Sequence, residues 1–104
     1  MNAGRITQPN AFLDYRPGSG NTVEILDISV DAEYRRKGLG RWMVNRLLDR
    51  AGEGVLVFAI TRHTNYIAQQ FYEDMRFKVI GYLRDFYGNG ESALMYGRRK
   101  GDQS

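Results

Sequence analysis

One stretch of this 104-residue chain concentrates groups that could do chemistry: Val30-Asp31-Ala32-Glu33-Tyr34-Arg35-Arg36-Lys37-Gly38-Leu39-Gly40-Arg41. A β-rich run ends there, three consecutive basic residues follow, and two glycines open a helix. The first backbone N–H groups of a helix have no partner inside it, and the helix dipole adds positive potential at the same end. Glycine lets an anion approach the main chain closely. Arg35, Arg36, Lys37 and Arg41 bring positive charge to the same place, so the segment points to a phosphate or pyrophosphate. A Walker A loop would need Gly-Lys-Ser/Thr, and here Lys37 precedes the glycine. A dinucleotide loop needs three glycines with an acidic residue about 20 positions on, and only Gly38 and Gly40 fit. The plain alternative is a solvated basic turn with a glycine at a helix start.

Composition narrows what else the chain can be. It contains no Cys and one His, His63. That removes disulfides, thiolate nucleophiles and cysteine zinc sites, and multi-His metal sites as well, so no metal is expected. The chain is 42% hydrophobic and 26% charged, with a net charge of +3 from 15 basic and 12 acidic side chains. Twelve of the basic residues are Arg, the better fork for phosphate and carboxylate. A charge of +3 is mild for a nucleic-acid binder. No apolar run approaches the ~20 residues of a membrane span, and Met1–Pro17 has no signal-peptide core. The expectation is one cytoplasmic domain over 1–104, with its core at about 11–97 and a frayed polar tail at 98–104.

The elements that must position the basic loop follow from periodicity. Ala11–Arg16 reads as a short strand, Pro17–Asn21 as a turn and Thr22–Val30 as a second strand, the two forming a hairpin. Alternation in the second strand places Glu24, Leu26, Ile28 and Val30 on one face and Val23, Ile25, Asp27 and Ser29 on the other. A helix over Gly38–Ala51 carries Leu39, Met43, Val44, Leu47, Leu48 and Ala51 on its buried stripe. Val55–Ile60 is a nearly unbroken apolar run, as in a strand covered on both faces. Thr64 or Asn65 caps a second helix to about Met75, with Ile67, Phe71 and Met75 as its ridge. Lys78–Tyr87 and Ser92–Tyr96 are strands joined by the turn Gly88-Asn89-Gly90. The order β-β-α-β-α-β-β describes an α/β fold in which a strand–helix–strand unit is flanked by antiparallel hairpins.

Arg35-Arg36-Lys37-Gly38-Leu39-Gly40 resembles the Gln/Arg-x-x-Gly-x-Gly/Ala signature of the GNAT superfamily of N-acetyltransferases. A second segment, Asn65-x-x-Ala68-x-x-Phe71-Tyr72-x-x-x-x-Phe77, is similar to the family's Asn-x-x-Ala-x-x-(apolar)-Tyr helix and its Gly-Phe close, with Arg76 in place of the usual Gly. The Tyr82–Tyr96 hairpin is similar to the family's last two strands. The nearest type is the ribosomal-protein N-terminal acetyltransferase, and the resemblance covers roughly residues 11–97.

The resemblance implies a GNAT-like mixed sheet with acetyl-coenzyme A, the cosubstrate, lying where Thr22–Val30 and Val55–Ile60 splay apart. Ile28, Ser29 and Val30 would pair with its pantetheine arm like an added strand. Pyrophosphate would sit on main-chain N–H groups from Arg36 through Lys37, Gly38, Leu39 and Gly40 to Arg41, with Arg35 and Arg36 adding charge. Asn65 would hydrogen-bond the arm, or serve simply as a helix cap. Tyr72 would protonate the leaving thiolate, its alternative being a core aromatic. The base is open. The family's Glu on the strand before the Asn helix is Ile60 here, which cannot act. Glu24 is the leading candidate, Asp27 ranks below it, and a water-relayed base or a carbonyl remains. His63 reads as a loop residue.

The family's usual first strand and two helices have no counterpart here. The acceptor site is then open to a peptide or protein tail, or completed by a second chain, which favours a homodimer; a truncated gene product is the third reading. The leading function is direct transfer of acetyl from acetyl-coenzyme A to a primary amine, on a peptide or protein N-terminus or a small molecule. The alternative is a coenzyme A-binding, non-catalytic or regulatory module. A nucleic-acid binder ranks last, because aromatics do not interleave with the basic residues.

Overall fold

The computed structural model describes residues 1–102. Six strands and two helices follow one another as β1 (Gly4–Gln8), β2 (Ala11–Pro17), β3 (Thr22–Val30), α1 (Leu39–Ala51), β4 (Leu56–Arg62), α2 (Tyr66–Asp74), β5 (Lys78–Gly88) and β6 (Glu91–Arg99), with a 3-10 turn at Ala32–Tyr34 between β3 and α1. They form one mixed sheet in the order β1-β2-β3-β4-β6-β5. Only β3 and β4 run parallel, and every other neighbouring pair is antiparallel. The α/β class and the hairpin flanks expected from sequence are present.

The expected order lacks one strand that the structure has. β1 pairs along β2 from Gly4↔Tyr15 to Gln8↔Ala11. Of its five residues only Ile6 is buried. An edge strand with a single core contact shows no alternation, which is why residues 1–10 look unpatterned. At the other end β6 continues through Arg99 instead of stopping at Tyr96. Arg98 Nη1 donates to the carbonyl of Met75 at 2.8 Å, and Arg99 Nε donates to that of Gly54 at 3.2 Å. The start of the expected frayed tail is therefore ordered strand, while residues 103–104 lie outside the described residues.

Both helices pack on one face of the sheet. Met43, Val44, Leu47 and Leu48 of α1 are all at most 3% exposed and meet Leu13, Val23, Ile25 and Val57 in a single core. Each such side chain contributes about 1.5–3 kcal/mol of burial. α2 adds Tyr72 and Met75 to the same core. Among the described residues no helix covers the other face, so the expectation that β4 is covered on both sides fails. Its burial alternates, with Val57, Ala59 and Thr61 buried and Leu56, Phe58 and Ile60 half-buried.

The expected face assignment in β3 is also corrected. Tyr15 pairs with Ile25 but Asp14 pairs with Asp27, so Leu26 is an extra residue in a β-bulge. A bulge shifts the alternation by one. The core face is therefore Val23 and Ile25 before the bulge and Ile28 and Val30 after it, the latter two packed partly against the core. Glu24 lies on the opposite face from Ile28 and Val30. In α2, Ile67 is 86% exposed and does not belong to the ridge. Ala68, Phe71, Tyr72 and Met75, at i, i+3, i+4 and i+7, form it instead.

Candidate functional site

The parallel pair opens into a fork. β3 and β4 are registered from Thr22↔Leu56 to Ile25↔Ala59 and no further, although both strands continue. The bulge at Leu26 turns β3 away from β4 at the same level. The fork continues into a groove of about 1210 Å³ walled by both strand ends, the start of α1 and one side of α2. Every cofactor-binding residue singled out from sequence lines it except Lys37: Ile28, Ser29, Val30, Arg35, Arg36, Gly38, Leu39, Gly40, Arg41 and Asn65.

The basic loop is shaped by its own main chain. Arg35 Nε donates to the Val30 carbonyl at 3.0 Å, which folds the loop back on the end of β3. Arg36 and Gly38 both take left-handed backbone, with φ of 63° and 80°. Gly38 is the α1 cap and supplies no side-chain hydrogen bond. The first-turn N–H groups therefore remain for an anion from outside. Gly40 has a different reason to be glycine: a Cβ there would meet the Phe71 ring at 3.0 Å. Its absence lets the start of α1 lie against α2. Lys37 sits over the Tyr34 ring at 5.9 Å.

α2 closes the groove with Asn65 and Tyr72. Asn65 Oδ1 accepts from the Ala68 N–H at 3.1 Å, so the helix-cap role is present. Tyr72 is 4% exposed, with its ring centroid 5.2 Å from Phe71, 5.3 Å from Phe77 and 5.9 Å from Tyr96. Burial, followed by the negative charge of Asp27, holds its phenol un-ionised well beyond the ordinary tyrosine range. Both residues line the groove.

Glu24 is not brought into the groove. Its carboxylate accepts from Arg16, Nη2 at 3.1 Å and Nε at 3.3 Å, on the uncovered face of the sheet. The reason is the bulge, which separates it from Ile28 and Val30. Asp27, ranked lower from sequence, lines the groove, as does Asp74 of α2, whose carboxylate accepts from Gln70 at 2.8 Å. His63 stays in the β4–α2 connection, where its N–H donates to the Ser92 carbonyl.

Sequence reasoning missed the far wall of the groove. Arg62, the last residue of β4, stacks 3.9 Å above the Tyr87 ring and pairs with Glu91. This ties the β5–β6 hairpin to the fork; no local motif marks it, because the partners are 25 and 29 positions away. A second hollow of about 400 Å³ lies in that hairpin at Tyr82, Arg84, Asp85, Gly90 and Ser92. Its polar groups bond one another: Tyr82 Oη and the Asp85 N–H both donate to Ser92 Oγ, and the Gly90 N–H donates to Asp85 Oδ1.

A mixed sheet whose one parallel pair splays above a helix start without a side-chain cap defines a class of α/β fold with a groove at the fork. Residues 4–77 match the model of the acetyltransferase (GNAT) family. An N-alpha-acetyltransferase RimI of Mycobacterium tuberculosis is 35% identical over 82 residues, covering 78% of this chain and 51% of that protein. The ribosomal-protein-S18-alanine N-acetyltransferase of Escherichia coli superposes with a TM-score of 0.73 at 25% identity, over 96% of this chain and 69% of that one. A Bacillus anthracis protein assigned as a streptothricin acetyltransferase, solved with acetyl coenzyme A, superposes with a TM-score of 0.79 at 26% identity, over 86% and 56%. The chain belongs to the GNAT acetyltransferase family. It spans about half the length of the curated relatives it matches.

Proposed function

We propose that this chain is an N-acetyltransferase that transfers acetyl from acetyl-coenzyme A directly to a primary amine, on a peptide or protein N-terminus or a small molecule. The observation that carries this reading is the fork itself: an uncapped α1 start lies at one end of a groove whose walls include a buried tyrosine and a carboxylate. The residues present suit the cosubstrate. Gly38 leaves the first-turn N–H groups free for pyrophosphate, and Arg35, Arg36 and Arg41 add charge. Past the bulge, Ile28, Ser29 and Val30 offer main-chain groups no longer shared with β4. The B. anthracis relative, bound to acetyl coenzyme A, supports the same choice.

Bound acetyl-coenzyme A supplies a thioester, from which transfer to an amine makes a C–N bond and releases a thiol. The chain's part is proton movement. Tyr72, kept protonated by burial, gives its proton to the departing sulfur. Asp27 takes the proton that the amine must lose, directly or through one water, in place of Glu24, whose carboxylate Arg16 occupies. Isothermal calorimetry with acetyl-coenzyme A, followed by thiol release with a panel of peptides and amines, tests the reading. Binding with turnover is expected. Binding without turnover would favour a regulatory coenzyme A-binding module, a reading supported by Ile60 standing where the relevant family subgroup has Glu. No binding would end both.

A further inference from the structure

Thr61 is the one buried polar side chain in the fork that the reading above leaves without a task. It is the third inward residue of β4, after Val57 and Ala59. The last β3–β4 pair is Ile25↔Ala59, so Thr61 lies two residues, about 6.6 Å, past the crotch of the fork. It is 6% exposed and lines the groove together with Tyr72. Its Oγ1 has no hydrogen-bond partner. Valine has the same shape and would fill an apolar site without leaving a hydroxyl unbonded, a state that costs stability. The other orphaned atom, Arg98 Nε, belongs to a guanidinium whose Nη1 already bonds the end of α2. Among the described residues, only Thr61 combines an orphaned hydroxyl with a place in the groove.

We infer that the Thr61 hydroxyl is a binding group for the cosubstrate, donating a hydrogen bond to a carbonyl oxygen of the acylated pantetheine arm as it enters the fork. This rests on the acetyltransferase reading and adds to it a side-chain contact on β4, the strand opposite the one that pairs with the arm. A hydroxyl reserved for a ligand weakens the empty protein and strengthens the loaded one.

The test uses the whole chain with Thr61→Val and Thr61→Ser. T61V is expected to raise the thermal midpoint of the empty protein by a few degrees. It is also expected to weaken acetyl-coenzyme A binding, or raise its KM, by about 3–10-fold. T61S, which keeps the hydroxyl, is expected to bind within about twofold of the unchanged chain. Coenzyme A and acetyl-coenzyme A are titrated side by side. A loss confined to acetyl-coenzyme A places the bond on the thioester carbonyl, and equal losses place it on an amide carbonyl of the arm. A T61V chain that unfolds or melts lower, or that binds unchanged, overturns the inference, since the hydroxyl would then be bonding within the protein or to a buried water. T61S binding as weakly as T61V overturns it too. The unchanged chain is the control: if it fails to bind, the functional reading falls, whereas equal binding by T61V removes only the Thr61 assignment.

Discussion

Tyr72 and Asp27 divide the proposed proton traffic by environment. Packing among Phe71, Phe77 and Tyr96 strips water from the phenol, and the Asp27 charge further opposes its ionisation. Tyr72 therefore stays a donor throughout the working range, and no activity loss below about pH 10 should trace to it. Tyr72→Phe is expected to lower turnover by about 10²-fold or more while sparing coenzyme A affinity, read as a kcat loss without a matching rise in KM. Asp27→Asn is expected to do the same. Glu24→Gln should leave turnover within about twofold, because its partner Arg16 is half exposed and the pair is a surface ion pair. A large kcat loss in Glu24→Gln with none in Asp27→Asn would reverse this assignment.

At the scale of the element, the two helix starts do different work. α1 begins on a glycine that leaves its N–H groups open, while α2 begins on an asparagine that closes one of its own. Asn65→Ala should cost about 1 kcal/mol of stability through the lost cap. Asn65→Asp keeps the cap oxygen and removes the amide donor. It should therefore melt near the unchanged chain yet bind coenzyme A more weakly if that donor serves the pantetheine arm, and unchanged binding would make Asn65 a cap alone. The end of α2 carries visible strain. Arg76 adopts φ 66°, left-handed, with its N–H bonded to the Glu73 carbonyl at 2.9 Å. The family motif has Gly there. Arg76→Gly should stabilise by about 1 kcal/mol, seen as a higher melting temperature.

Among the described residues the molecule is a two-layer sandwich of sheet and helices, with the other face of the sheet bare. Leu26 and Ile80 are 48% and 47% exposed, and Phe58, Ile60 and Met95 lie half-buried beside them on the uncovered side. A second copy covering that face would form the homodimer expected from sequence. Light scattering should then give twice the 12.0 kDa chain mass, and Phe58→Lys should return it to the monomer. Alkaline stability is also a whole-molecule property. Burial, and then the bond to Glu73 Oε2 at 2.7 Å, pushes Tyr96 up to about 12, and Tyr72 is raised as well. Between about pH 10 and 12 these phenols ionise in the unfolded chain but not in the folded one. The unfolded state then holds fewer protons, so stability present below pH 10 is lost as pH rises. Denaturant midpoints should fall over that window, and less steeply in Tyr96→Phe.

Much of this was legible in the residues because it is local. The basic loop at Arg35–Gly40, the α1 stripe and the Asn89–Gly90 turn are each decided within a few positions, where backbone preference and periodicity act. What the linear pattern could not show depends on partners far along the chain. The bulge at Leu26 exists only because β2 pairs with β3 out of step, and that one extra residue moves Glu24 to the face opposite Ile28 and Val30. Ile67 reads as core until the neighbouring elements leave it at the groove rim. β4 reads as buried on both sides until the helices are found to share one face. Sequence determined every element but β1 and placed the basic loop at the start of α1. Tertiary structure decided which face each side chain takes, since a strand's register is set by its neighbours and not by itself.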